Sequence, residues 1–169
     1  MLWGAFTLLL AVGGTGIVAY SVLVSTRTEI DQADSEDVAF VLNLCGLGEH
    51  RIERVLHSYV SPRSFTGDHV DAYAIKVSRI DLEKLTVGRD LGTHWYCGDS
   101  LPPPLSEALA FIDMFHHTVS WLPHSSALRG NASFIYPSRV VFHGGRVTAA
   151  ELIFARPLEN TIFYFSAKT

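Results

Sequence analysis

Apolar positions along the 169 residues fall into three kinds of pattern: one long uncharged run at the start, helical stripes in the middle, and short β-branched or aromatic runs at the end. No charged side chain occurs from Leu2 to Thr26. At about 1.5 Å per residue, the stretch 2–24 reaches about 34 Å as a helix, enough to cross a hydrocarbon core of about 30 Å with some tilt. A cleaved secretory signal would start with a basic residue, carry a shorter apolar run and end on small residues. This segment has no early Lys or Arg and places bulky residues at the candidate cleavage sites, so residues 1–25 are expected to be an uncleaved transmembrane anchor. Its Gly residues do not form Gly-x-x-x-Gly, which leaves no strong dimerisation face.

Residues 26–36 are polar and acidic, without helical or strand periodicity, and read as a stalk before a domain spanning residues 37–169. Within the domain, Ile52, Val55, Leu56 and Tyr59 fall at i, i+3, i+4 and i+7, a spacing that predicts an amphipathic helix over 48–60, before Ser61-Pro62. Leu105, Ala108, Leu109, Ile112 and Phe115 define a second helix over 104–118, with Pro104 suited to its first turn. Residues 72–78 read as a strand, and 81–85 as one short helical turn.

The final third is β-rich. Runs at 134–136, 140–143, 149–155 and 161–167 are separated by turn signals at Gly144-Gly145 and at Pro157 to Asn160. The last three most simply form an antiparallel meander. Phe163, Tyr164 and Phe165 make both faces of the last strand apolar, which predicts an interior strand with helices on one side and a second cover, such as a partner, on the other. The expected fold class is therefore α+β: a transmembrane helix followed by one small domain whose helices pack on a mainly antiparallel sheet.

Charge narrows the partners. All 13 Lys and Arg and all 17 Asp and Glu lie beyond the anchor, giving the domain the whole formal charge of −4. The basic residues are scattered, so nucleic acid is not an expected partner. The flanks hold too few Lys or Arg for the positive-inside bias to orient the span firmly, and the domain is expected on the extracytoplasmic side because that arrangement is commoner for an anchor near the N-terminus.

Candidate chemistry is sparse, and no cofactor is implied. His50, Glu53 and His57 would share one side of the predicted first helix and offer metal ligands, although His-x-x-Glu-x-x-x-His is not the zinc-helix spacing. A solvated polar face, with Glu53 supporting His57 at i+4, is the preferred explanation. His94, His116, His117 and His124 enrich the middle region in imidazole, but adjacent His116 and His117 diverge by about 100° on a helix. Ser64, Asp68 and His69 supply the residue types of a catalytic triad within six positions, without a Gly-x-Ser-x-Gly elbow, and Gly67-Asp68 is also a simple turn.

Cys45 and Cys97 permit one disulfide, which would close a loop of about 50 residues and stabilise the fold by roughly 4 kcal/mol in an oxidising compartment. The alternative is a buried Cys45 acting as a small hydrophobe. Trp95, Tyr96 and Trp121 lie among loop residues and are candidate anchors for a protein contact, or rim residues of the core. The expected function is display of the domain at a membrane to bind a protein or envelope component. A membrane-tethered hydrolase, possibly metal-dependent, and a structural subunit of a membrane complex are the alternatives.

Overall fold

The computed structural model describes residues 33–48, 51–85 and 94–169, so the expected span at 2–24 lies outside the described residues. Among the described residues no helix is long and apolar enough to cross a membrane. The domain is α+β, built on a six-stranded antiparallel sheet: β1 (Ile52–Val60), β2 (His69–Val77), β3 (Tyr96–Cys97), β4 (Phe134–His143), β5 (Arg146–Arg156) and β6 (Thr161–Lys168). Their order across the sheet is β1-β2-β6-β5-β4-β3. The helices are α1 (Ala39–Leu44), α2 (Pro103–Asp113) and the single turn α3 (Ser125–Leu128).

β4, β5 and β6 form the expected meander, and the two runs at 134–136 and 140–143 join into one strand through Pro137, where the register with β5 shifts. Gly144 and Gly145, at φ +57° and +77°, close the β4–β5 hairpin with the left-handed backbone that a two-residue turn demands. The turn Pro157–Glu159 and left-handed Asn160 make the next corner. Leu82–Lys84 is a single 3-10 turn, as the short helical signal predicted.

The predicted first helix is a strand. β1 lies at the sheet edge against β2, with irregularities between Ile52 and Arg54 and between Val55 and His57. Each inserted residue lengthens the repeat of one face from two to three, so Ile52 and Val55, opposite Val77 and Ile75, mimic a helical i, i+3 pair. Leu56, the third member of the apparent stripe, is exposed. The bulges also blunt an edge strand that would otherwise invite pairing with another chain.

Both sheet faces are covered by the chain itself. Leu105, Ala108, Leu109 and Ile112 of α2 pack with Leu152, Phe154, Phe163 and Phe165 in one cluster, while Val38, Val41 and Leu42 pack with Ile75, Ile153, Ile162 and Tyr164 in the other. Consecutive residues of β5 and β6 thus enter opposite clusters, which is why these strands read as continuously apolar. The second cover of β6 is the chain around α1, not a partner. Ala33, within the expected stalk, is buried in that cluster, and its N–H donates to Ser58 Oγ at 3.2 Å.

α2 starts one residue earlier than expected, after Pro102 and with prolines in its first turn, and ends at Asp113 rather than near Thr118. Phe115 still packs against the α2-side cluster from the turns that follow.

Candidate functional site

The β1–β2 connection holds the Ser-Asp-His candidates. Ser64 Oγ accepts from the Asp68 main-chain N–H at 2.8 Å, and Thr66 Oγ1 donates to the Asp68 carboxylate. These bonds shape a turn around Gly67, whose φ is +80°. The hydrogen bond from Thr66 holds the Asp68 carboxyl below the ordinary value, against a smaller opposing effect of burial. His69 does not join Ser64: its Nδ1 lies 2.9 Å from Gly67 O, and its Nε2 lies 3.1 Å from Ser166 Oγ.

Ser166 belongs to a row of polar residues that only the sheet assembles. Register places Asp71 of β2 opposite Ser166 of β6, Ser166 opposite Glu151 of β5, and Glu151 opposite Arg139 of β4. Tyr164 Oη donates to Glu151 Oε1 at 2.9 Å, and Ser138 Oγ donates to Glu151 Oε2 at 3.3 Å. Burial, and then the Glu151 carboxylate, push the Tyr164 phenol well above its ordinary range.

Asp71 is buried and pairs with Arg63 at 2.7 Å through Oδ2, while its Oδ1 has no hydrogen-bond partner among the described residues. Burial and the Asp71 charge likewise raise the Tyr73 phenol. Phe40 of α1 packs edge-on against Tyr164 and Tyr73, with ring centroids 5.2 and 6.2 Å away. A pocket of about 140 Å³ opens beside the row, lined by His69, Arg139, Glu151, Ser166 and Lys168 among others.

A larger cleft, about 630 Å³, lies where the end of α1 meets the Leu82–Lys84 turn and the start of β3. Asn43, Glu83, Lys84 and His94 give it polar character, and Trp95 and Tyr136 an aromatic wall, their ring centroids 5.5 Å apart. Trp95 Nε1 and His94 Nε2 are buried and have no hydrogen-bond partner among the described residues. Trp95 and Tyr96 are each only 3 % exposed and enter opposite clusters, as neighbours on a strand must. Trp121 is half-buried and stacks on His57 at 5.2 Å.

Cys45 and Cys97, which the sequence permits to form one bridge, are free thiols in this structure. Cys45 lies in the cluster under α1, its Sγ donating to Val41 O at 3.3 Å, and Cys97 lies on β3 with Sγ 3.9 Å from Asn131 O. Burial pushes the Cys45 thiol up to about 12. The proposed metal face also loses its helical basis, since Glu53 and His57 stand on bulged β1, while His50 is outside the described residues. Among the described residues, no three His, Cys, Asp or Glu side chains gather to hold a metal.

The fold does pair His116 with His124, rings stacked 3.6 Å apart, next to Asp113. That pairing is not apparent in the sequence, where adjacent His116 and His117 diverge, and neither are the roles of Asp71, Glu151 and Ser166, whose one local signal is to be a lone polar residue within an apolar strand run. Comparison with protein families, curated proteins and solved structures finds no match to this chain.

Proposed function

We propose that this chain is a single-pass membrane protein whose α+β domain binds a protein or envelope component in the cleft between α1 and β3. The observation carrying this reading is the cleft's lining. Donors and acceptors from Asn43, Glu83, Lys84 and His94 stand beside the aromatic wall of Trp95 and Tyr136, a mixture of polar groups and aromatic surface of the kind that binding recesses use. Because both faces of the sheet are already packed by the chain itself, the recess is not needed to complete the core. The uncharged run at 2–24 supports attachment to a bilayer.

Two measurements on the full-length chain test the two halves of this reading. The protein should resist alkaline carbonate extraction from membranes, and its release into the supernatant counts against an anchor. A photo-crosslinking amino acid at Asn43 or Glu83 should trap one discrete species that the same group at Phe65, on the exposed β1–β2 turn, does not. Identical products from all three positions, or none from the cleft, reject the cleft as the binding site.

A further inference from the structure

The geometry points to a second activity at the other end of the sheet: Ser166 and His69 form a nucleophile–base dyad for acyl transfer from small esters. The assignment follows from the hydrogen bonds around one imidazole. A backbone carbonyl can only accept, so the 2.9 Å contact of His69 Nδ1 with Gly67 O places the proton of the neutral ring on Nδ1. Nε2 then carries the lone pair, and Ser166 Oγ, 3.1 Å away, donates to it. A hydroxyl, a base within hydrogen-bond reach and a third group that fixes the base's tautomer are the parts from which activated serine nucleophiles are made.

The surroundings suit the chemistry. Ser166 and His69 are both half-buried and line the 140 Å³ pocket, which admits a short acyl group. Arg139 and Lys168, the latter with its Nζ donating to Thr66 O at 2.6 Å, line the same pocket and give it a positive character that favours a developing oxyanion. Across the row, Tyr164 and Ser138 donate to the two Glu151 oxygens. The pocket shares no lining residue with the larger cleft, so this activity stands or falls separately from ligand binding there.

In the acylation step, Ser166 Oγ bonds to the ester carbonyl carbon as its proton passes to His69 Nε2, and the carbonyl π pair moves onto oxygen. Collapse of that intermediate expels the alcohol, whose oxygen takes the proton from Nε2 and leaves acyl-Ser166. Water then gives a proton to His69 and attacks the acyl carbon. Release of the carboxylic acid returns the proton to Ser166.

The test uses the full-length chain in mild detergent with an alkyl fluorophosphonate, which phosphonylates an activated serine oxygen and releases fluoride. Peptide mass spectrometry should find one adduct per chain, on Ser166. Labelling should vanish in Ser166→Ala, fall at least ten-fold in His69→Gln, which keeps a hydrogen-bonding side chain without a comparable base, and persist in Ser64→Ala. Circular dichroism and thermal melting identify which variants fold. The wild-type protein decides the matter even if they do not: no adduct at Ser166, or an adduct confined to other residues, overturns the proposal. Equal labelling rates in wild type and folded His69→Gln also overturn it.

Discussion

The Asp113 carboxylate receives two hydrogen bonds from Ser125, one from its main-chain N–H at 2.9 Å and one from its Oγ at 2.6 Å. The last residue of α2 thereby fixes the start of α3, twelve positions later, supplying the cap that His124 at the N-cap position does not. Leu128, fully buried, is held in the core by the same turn. Removing such a cap costs about 1 kcal/mol, and up to about 2 kcal/mol in some helices. Asp113→Ala is therefore expected to lower the urea midpoint by a corresponding amount. An unchanged midpoint means that α3 is held by Leu128 alone.

The same carboxyl makes stability depend on acid. Partial burial opposes its charge, but the bonds from Ser125 and His124 outweigh it and hold its pKa below the ordinary 3.8. A depressed folded-state value stabilises the fold above the unfolded value and is lost as pH falls through the folded one. Wild type should thus exceed Asp113→Asn in stability at pH 6, with the gap closing below about pH 3.8. A gap that stays constant from pH 6 to pH 3 contradicts this origin.

Thiol reactivity should separate the two cysteines. Cys45 is buried and its thiol is pushed up to about 12, so almost no thiolate is present near neutrality. Cys97 is raised less and is partly exposed. Iodoacetamide should modify Cys97 first in the folded chain and reach Cys45 only when denaturant is added, as read by peptide mass spectrometry. Equal rates under native conditions would show that α1 opens readily.

Gly98 has no room for a side chain. A Cβ there would run into Leu128 O and come within 2.7 Å of Gly130 O, both of them backbone atoms. The turn after α3 cannot yield without moving Leu128, so Gly98→Ala should destabilise the protein by about 1–3 kcal/mol, as overpacked sites do. Gly130→Ala, where a Cβ meets nothing within 4 Å, is the matched control and should be nearly neutral. Chemical denaturation of the pair checks the difference.

Phe165 tests the coupling between α2 and the sheet. Its side chain is fully buried and its ring lies 5.6 Å from that of Phe115, just beyond α2. Phe165→Ala should cost about 3–5 kcal/mol, the usual loss for a buried aromatic. Loss of near-UV dichroism at a lower temperature is the expected sign. A loss under 1 kcal/mol would mean that the α2-side cluster closes over the cavity.

Some of this molecule follows from local order alone. The stripe after the triple proline makes α2, and the β-branched and aromatic runs around Gly144-Gly145 and Asn160 make the β4–β6 meander, because periodicity and turn chemistry act between residues a few positions apart. The uncharged stretch at 2–24 is likewise a property of composition. β1 was illegible for the opposite reason: two inserted residues changed its spacing from two to three, and only pairing with β2 distinguishes a bulged strand from a helix.

Chemistry was less legible than fold. Ser64, Asp68 and His69 attracted notice by being close in sequence, yet His69 meets Ser166, 97 positions away. Asp71, Ser166, Glu151 and Arg139 become neighbours only through the register of four strands, and a shift of one residue would send each strand's side chains to the opposite face. Local sequence determined which segments could be helix, strand or apolar span; the tertiary pairing decided which side chains meet, because register is set by packing across the sheet.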